Sequence, residues 1–365
     1  MGSEMCIRDR NNTGEISNNS IDDDGNGYID DVRGWDFSNG DNDPMDDNGH
    51  GTYCSGIISA VTDNGIGIAG VSWYSKIMGV KGLDADGVGY TVNLAKCIKY
   101  AAYNGADVIY NGWGIKNCLS SQPLIEDAIR YAHNLGCVVV FPAGNYNDDV
   151  IYRSPANMAE VITVAATDQN DKKASFSDYG SLVDVSAPGV DILSLWRNDS
   201  YSQGSGTSAS ASYVAGVAAL ILSKNPSWSN DEVERCLRST TDNIDFLNPD
   251  YAGLLGTGRI NAHKAVTTSP KPKIIFYSYS INDSEGGDSN GQAGPNETIK
   301  LTVILKNIWL NATNVSASLT TTDPYINITD GDANFGNIPM DSTRNNSLNP
   351  YSFSVDESCP LKHNI

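Results

Sequence analysis

The run GTSASASYVAGVAALIL, residues 206–222, combines a small-residue turn with an apolar helix rich in alanine. Ser208 stands at the start of this helix, so its oxygen lies beside unpaired backbone N–H groups and the positive end of the helix dipole. That setting suits a nucleophile whose attack creates an oxyanion. Serine is also a common N-cap, and the run alone favours that structural role.

Two further segments change this interpretation. In NGHGTYCSGIISA, residues 48–60, His50 lies between two glycines at the start of a small-residue helix, which favours a general base over a packing residue. In VVVFPAGN, residues 138–145, a buried strand ends in a turn that leaves the Asn145 amide free to donate. Serine, histidine and an amide donor are three of the parts needed for acyl transfer at a peptide carbonyl.

These motifs resemble those of the subtilisin-like serine peptidases (subtilases). His50-Gly51-Thr52 matches the family's histidine motif, Ala143-Gly144-Asn145 its oxyanion motif and Gly206-Thr207-Ser208 its serine motif, in the family's order. The resemblance covers roughly residues 11–266. It implies a serine endopeptidase that is secreted and acts on polypeptide substrates.

By resemblance, Ser208 attacks the scissile carbonyl, His50 takes its proton, and Asn145 stabilises the oxyanion together with the backbone N–H of Ser208. The resemblance also assigns pairing with the substrate backbone to Gly112, Trp113 and Gly114.

One catalytic residue of the family has no match in this sequence. The family carries an aspartate in an Asp-Thr-Gly or Asp-Ser-Gly turn upstream of the histidine, and no such turn occurs here. Residues 1–10, MGSEMCIRDR, resemble no part of the family, and we interpret them as a non-native scar. We therefore expect a fragment that begins after the aspartate and is catalytically inert by itself.

A second interpretation belongs to another class of protein. Tyr53, Gly112 and Tyr213 stand where the family usually has other residues. These departures are compatible with a catalytically inactive, subtilase-like binding or adhesion protein. The residue upstream that corresponds to the aspartate would discriminate between the two.

Alternating patterns predict an α/β domain over residues 11–267, with a mostly parallel sheet flanked by helices. Ligands of such sheets bind at the carboxyl ends of the strands. The predicted helices span residues 91–104, 124–135, 208–223 and 229–239, and the predicted strands span 107–111, 137–142, 161–165 and 183–186.

The composition changes after this domain. Residues 268–273 read as a short stiff linker because they contain Ser-Pro-Lys-Pro-Lys. Residues 274–365 predict a small all-β sandwich. This stretch resembles an immunoglobulin-like module, and we expect the module to be incomplete. Its predicted strands span 274–281, 297–305, 314–320 and 325–329.

An acidic segment near the start of the chain suggests a structural calcium site. From Asp22 the spacing follows the opening of an EF-hand-type loop, which makes Asp22, Asp24, Asn26 and Asp30 candidate ligands. Arg33 stands where that loop has its bidentate glutamate, and a solvated acidic loop is the competing interpretation. Similar loops in this branch of subtilases favour calcium. For a second acidic cluster, Asp43, Asp46 and Asp47, the pattern favours solvation.

Composition narrows the range of partners. The net charge of −20 disfavours nucleic acid, whose phosphates the protein would repel, and suits an extracellular protein. No apolar run reaches the length of a membrane span. Cys54, Cys97 and Cys137 lie in apolar contexts, which favours buried thiols.

Overall fold

The computed structural model describes residues 9–115, 121–268, 271–284, 286–361 and 363. The chain divides into two units, Met1–Thr268 and Ser269–Ile365. The first unit combines helices with parallel strands and one antiparallel strand pair, whereas the described strands of the second unit pair antiparallel.

The first unit contains six α-helices and eight strands within its described residues. In chain order they are β1 (Gly34–Asp36), α1 (His50–Ser59), β2 (Gly79–Lys81), α2 (Thr91–Tyr103), β3 (Val108–Tyr110), α3 (Pro123–Asn134), β4 (Val138–Pro142), β5 (Ile162–Thr167), β6 (Val185–Pro188), β7 (Ile192–Trp196), β8 (Ser200–Gly204), α4 (Thr207–Lys224), α5 (Asn230–Ser239) and α6 (Ala262–Thr267).

A four-stranded parallel sheet forms the centre of this unit, in the order β3-β4-β5-β6. Every residue of β4 and β5 is buried, as expected for parallel strands covered by helices on both faces. A separate parallel pair joins β1 to β2, with Gly34 opposite Gly79. The predicted α/β class with a mostly parallel sheet is therefore confirmed.

Helix α4 packs against all four strands of the central sheet and against α1. Its alanines and small polar residues are buried almost all round, which lets the backbone approach the sheet closely. Because α4 begins at Thr207, its N-terminus and Ser208 lie close to the turn that follows β4. The helix predicted over residues 208–223 thus places the serine motif at the edge where β4 ends.

The described residues of the second unit form seven strands: β9 (Ile274–Asn282), β10 (Thr298–Asn307), β11 (Ala312–Ser318), β12 (Ile326–Asp330), β13 (Asp332–Ile338), β14 (Thr343–Asn345) and β15 (Tyr351–Val355). β10 pairs with β9, β14 and β15, and β12 joins at β15, all antiparallel. β11 and β13 form a separate antiparallel pair whose Phe335 and Ile338 share an apolar core with Tyr351 of the larger sheet. The predicted all-β character is confirmed; the immunoglobulin-like resemblance stays a prediction.

Some predicted boundaries fall at the edge of the described residues. Residues 269–270 of the predicted linker and 1–8 of the predicted scar lie outside them. Asp9 and Arg10, the last two residues of that scar, pair with Ile77 through a parallel bridge and a hydrogen bond of 2.7 Å from the Arg10 N–H. In the described part of the chain, no helix combines the length and apolarity needed to cross a bilayer.

Candidate active site

His50 is the first residue of α1, and a carboxylate holds the loop before it. Asp46 accepts hydrogen bonds from the backbone N–H groups of Asn48, Gly49 and Thr52 at 2.7–3.0 Å. It also accepts one from the Thr52 hydroxyl at 2.7 Å. The expectation that Asp46 is merely solvated is therefore wrong, because this residue satisfies the exposed donors at the start of the helix.

The electrostatics of Asp46 follow from these bonds. Burial acts to raise its pKa, but the donors from Gly49, Thr52 and Asn48 together lower it below the usual value. Asp46 thus stays ionised beside the positive end of α1. The two neighbours predicted to be solvated, Asp43 and Asp47, are exposed, and Asp47 forms an ion pair with Lys81 at 2.8 Å.

The ring of His50 rests against a thiol. Cys54 Sγ lies 3.9 Å from Nδ1 and 3.8 Å from Nε2 of His50. The hydrogen bond and charge of the Cys54 side chain raise the pKa of His50, with a further contribution from Asp46, against the effect of burial. Cys54 is one turn along the same helix, so the helix itself sets this contact.

Tyr110 connects the histidine to the serine. Its hydroxyl lies 3.0 Å from Cys54 Sγ and donates to the Ser208 carbonyl oxygen at 3.1 Å. Burial raises the pKa of Tyr110, so its phenol remains protonated. The motif search missed this residue, because a tyrosine inside a short buried strand is ordinarily a packing residue.

Asn145 and Ser208 meet at the turn that opens α4. The Asn145 side-chain oxygen accepts hydrogen bonds from the Thr207 N–H and hydroxyl, both at 2.9 Å. A methyl group added to Gly206 would lie 3.5 Å from Asn145 Nδ2 and 3.9 Å from the Ser208 nitrogen. The amide nitrogen and the Ser208 N–H therefore border the same small space.

A buried ion pair holds the turn that carries Asn145. Asp178 is fully buried, binds Arg153 Nε at 2.5 Å, and accepts from the N–H groups of Tyr146 and Asp148 at 2.9 Å. Gly144 has a positive φ of 119°, and a side chain there would lie 2.2 Å from Asp178. The glycine of the oxyanion motif is thus required both by its backbone conformation and by the approach of Asp178.

The segment predicted to bind substrate follows β3. A methyl group at Gly112 would lie 2.6 Å from the Tyr110 hydroxyl and 3.0 Å from His50 Cε1, so this position adjoins the histidine. Trp113 packs edge-to-face on Phe141 with ring centroids 5.1 Å apart, which anchors the segment in the core. Gly114 lies beside the Ser154 carbonyl.

These contacts tie Asn145 to Thr207, the residue before Ser208, and link His50 to Ser208 through Cys54 and Tyr110. The Ser208 carbonyl oxygen accepts hydrogen bonds from the Tyr110 hydroxyl at 3.1 Å and from the Ser212 hydroxyl at 2.8 Å. The ring of His50 contacts the thiol, not the serine hydroxyl. The arrangement holds an alcohol, an imidazole and an amide donor at one edge of the sheet.

The acidic loop gathers carboxylates in a pattern that differs from the predicted set. Ligand atoms of Glu15, Asp22 and Asp24 lie within 4.8 Å of one another. Asn26 is bonded to Asp24 and Asp31 through its nitrogen and to the Tyr28 N–H through its oxygen. Asp30 instead accepts from the N–H groups of Asn19 and Ser20. Glu15 was missed because it lies outside the EF-hand-like spacing.

Comparisons with known proteins agree with this architecture. A sequence model described as "Subtilase family" matches residues 9–290. Thermitase from Thermoactinomyces vulgaris is 43% identical over 235 residues, which cover 64% of this chain and 81% of thermitase. The Thermophilic serine proteinase of Bacillus sp. (strain AK1) is 42% identical over 236 residues, which cover 65% of this chain but only 56% of that relative.

Solved structures give the same result. A cold adapted subtilisin-like serine proteinase superposes with a TM-score of 0.53 at 34% identity, over 57% of this chain and 73% of that one. A protease from Pseudoalteromonas arctica PAMC 21717 gives 0.55 at 37% identity, over 60% and 70%. Fold, motif order and relatives agree, and the chain belongs to the subtilase family.

Proposed function

We propose that this protein provides the catalytic centre of a serine endopeptidase, with Ser208 as nucleophile, His50 as general base and Asn145 as oxyanion donor. The observation that carries the proposal is the turn from Gly206 to Ser208, which is bonded to Asn145 at the positive end of α4. A tetrahedral oxyanion formed beside Ser208 meets the Ser208 N–H and the Asn145 amide. Polypeptides are the substrate class, paired along Gly112–Gly114.

The histidine is the incomplete part of this centre. A base of this kind needs a third group that selects its tautomer and stabilises its charged form. In the described part of the chain, the side chain in contact with the His50 ring is the Cys54 thiol, and no carboxylate is hydrogen-bonded to the ring. Loss of the orienting carboxylate costs about ten-thousand-fold in turnover in such centres. We therefore expect little or no hydrolysis by the 365-residue chain itself.

The experiment compares this chain with a longer form in which an apolar strand ending in Asp-Thr-Gly precedes residue 9. We expect the longer form to cleave unfolded protein and to react with a fluorophosphonate, and Ser208→Ala to abolish both. Ser223, exposed on the same helix, provides the matched control Ser223→Ala, which is expected to stay active. A folded longer form that neither cleaves nor labels would contradict the proposal.

The second candidate function is that of a catalytically inactive binding protein. One observation favours it: the Tyr110 hydroxyl fills the space beside His50. A side chain at Gly112 therefore has no room there. This candidate predicts that the longer form binds unfolded polypeptide without cleaving it. The labelling experiment separates the two, because a fluorophosphonate reports nucleophilicity independently of substrate choice.

We also propose that Glu15, Asp22 and Asp24 hold a calcium ion. Their carboxylates are hard oxygen ligands, and none of the three is paired with a lysine or arginine of the described residues. Glu15 is only 8% exposed, so a bound cation would relieve repulsion among charges that water screens poorly. The ion would have a structural role, tying residue 15 to the acidic loop.

Calcium is expected to raise the melting temperature by mass action, because it adds about 2.7 kcal/mol to the free energy of unfolding at a hundredfold excess over its dissociation constant. A chelator should reverse the gain, and Glu15→Gln should remove most of it. Asp63→Asn, an exposed carboxylate far along the chain, is the matched control and should keep the full response. An equal calcium response in Glu15→Gln and the parent chain would rule out this site.

We propose secretion as the cellular context. The net charge of −20 and the membership of the subtilase family support it. Detection of the intact protein in the culture medium of its source, before cell lysis, would test the proposal.

A further inference from the structure

The loop between β9 and β10 gathers acidic side chains from both of its ends. It spans residues 283–297, DSEGGDSNGQAGPNE, and combines four acidic residues with four glycines. One carboxylate oxygen from each of Asp283, Asp288 and Glu297 lies within 4.8 Å of the other two. Because Asp283 directly follows β9 and Glu297 directly precedes β10, the loop closes on itself at this cluster.

Two of the three carboxylates are removed from solvent. Asp283 is 4% exposed and Glu297 is 8% exposed, whereas Asp288 is exposed. None of the three forms an ion pair with a lysine, arginine or histidine of the described residues. Carboxylates are almost never fully buried unless they are paired. Their mutual repulsion is also stronger than in water, because few water molecules screen it.

Hydrogen bonds compensate only part of this buried charge. Glu297 Oε1 accepts from the Asp288 N–H at 3.0 Å, and Oε2 accepts from the Gly294 N–H at 2.6 Å. Asp283 Oδ2 accepts from the Gly291 N–H at 3.1 Å. Asp283 Oδ1 receives no hydrogen bond from the described residues, although the residue is more than nine-tenths buried. Burying such an oxygen without a partner is unfavourable, so it indicates a ligand at the cluster.

Glycines allow the backbone to approach the carboxylates closely. A methyl group added to Gly287 would lie 2.9 Å from Glu297 Cδ and 2.9 Å from the Asp283 carbonyl oxygen. One added to Gly294 would lie 3.0 Å from Glu297 Oε2. Both positions therefore favour glycine. The Asp283 carbonyl oxygen and the Glu297 carboxylate border the same small space, so a neutral oxygen lies beside the charged ones.

We propose that Asp283, Asp288 and Glu297 bind a calcium ion, at a site separate from the one proposed at Glu15. Calcium takes about six to eight hard oxygen ligands, both carboxylates and backbone carbonyls, in a flexible geometry that suits a glycine-rich loop. The ion supplies the positive charge that Asp283 and Glu297 lack within the described part of the protein. Water completes its coordination on the side of Asp288, the exposed member of the cluster.

The proposed ion has a structural role in the second unit. Asp283 and Glu297 connect it to β9 and β10. The Glu297 carbonyl oxygen accepts from the Val355 N–H, and the Asn296 N–H donates to the Val355 carbonyl oxygen, both at 2.9 Å, so the same end of the loop is tied to β15. The proposal goes beyond the proposed peptidase activity and does not depend on it, because all of these residues lie in the second unit.

The first test counts bound calcium ions by isothermal titration calorimetry of the 365-residue chain, after a chelator has been applied and removed. Glu15→Gln removes the other proposed site and serves as the background. We expect Asp283→Asn or Glu297→Gln, added to this background, to bind one calcium ion fewer per chain. Asp330→Asn, at an exposed carboxylate of β12, is the matched control and should leave the count unchanged. An unchanged count in both Asp283→Asn and Glu297→Gln would overturn the proposal.

The second test separates ion binding from a role in the loop alone. In excess chelator, Asp283→Asn should melt at least as high as the parent, because the amide oxygen still accepts from the Gly291 N–H and a buried charge is gone. In excess calcium the variant should melt lower than the parent, because only the parent gains from binding. Differential scanning calorimetry measures both, and circular dichroism checks that the variant folds. A loss of the same size in both conditions would contradict an ion at this loop.

Discussion

The serine and histidine parts of the candidate active site are supported in different ways. Asn145 and the start of α4 are held by a fully buried aspartate, by its arginine partner and by two bonds to Thr207. His50 depends on one partly buried carboxylate before its helix and on a thiol that contacts its ring. The comparison indicates that the oxyanion half is preorganised, whereas the orientation of the base remains open to a further partner.

The largest loss in the free energy of unfolding is expected at the buried ion pair between Asp178 and Arg153, which supports the Asn145 turn. Asp178→Asn would leave Arg153, whose side chain is only 5% exposed, without its buried counter-charge. Breaking such a pair costs about 3–5 kcal/mol in the free energy of unfolding, measured by urea denaturation. Arg130→Ala removes surface ion pairs of a half-exposed arginine and serves as the control, with an expected loss below about 1 kcal/mol. Similar losses in the two variants would show that the buried pair stabilises the fold no more than a surface ion pair does.

A change in the support of His50 should lower the free energy of unfolding by a smaller amount, and that loss should depend on pH. Asp46→Asn is expected to cost about 1.5–3 kcal/mol, because the loop donors lose a charged acceptor. The pKa of Asp46 is lowered in the folded protein, so its contribution is present above the unfolded-state pKa and is lost as pH falls through the folded-state value. Urea denaturation from neutral to acidic pH should show the difference between parent and variant shrinking. Asp43→Asn, at an exposed carboxylate, should match the parent at every pH.

The junction between the two parts is tested at Gly112. Gly112→Ser places an atom 2.6 Å from the Tyr110 hydroxyl, and we expect a loss of about 1–3 kcal/mol from overpacking. Combining it with Tyr110→Phe should recover part of that loss, because the clashing oxygen is gone. A double-mutant cycle by urea denaturation measures this coupling. Additive effects would mean that the hydroxyl does not set the space beside His50.

The smallest expected effect is a change in the pKa of the His50 ring. Cys54→Ala removes the group that contributes most to the raised pKa of His50, so that pKa should fall towards its usual value. Proton NMR of the histidine ring resonances follows the titration. An unaltered His50 midpoint would show that the thiol does not govern its protonation.

Sequence patterns located the helices and central strands well because those elements follow strong periodicities. The buried run of β4 and the alanine-rich α4 were predicted to within two residues. The three-residue strands β1 and β2 carry no such pattern and were missed. Tyr110, Asp46 and Glu15 were also missed as site residues, because each acts through partners that are distant in sequence or through backbone groups.

The sequence by itself determined the order of the chemical groups and the elements that carry them. Turn glycines, a buried strand and a small-residue helix are local properties, so His50, Asn145 and Ser208 could be identified from their neighbours alone. Only the tertiary structure decided what each group touches: the thiol on the imidazole and the buried aspartate behind Asn145. The physical reason is that hydrogen bonds and cavities depend on which strand edges and helix faces come into contact in the folded chain. The spacing of residues along the sequence does not specify those contacts.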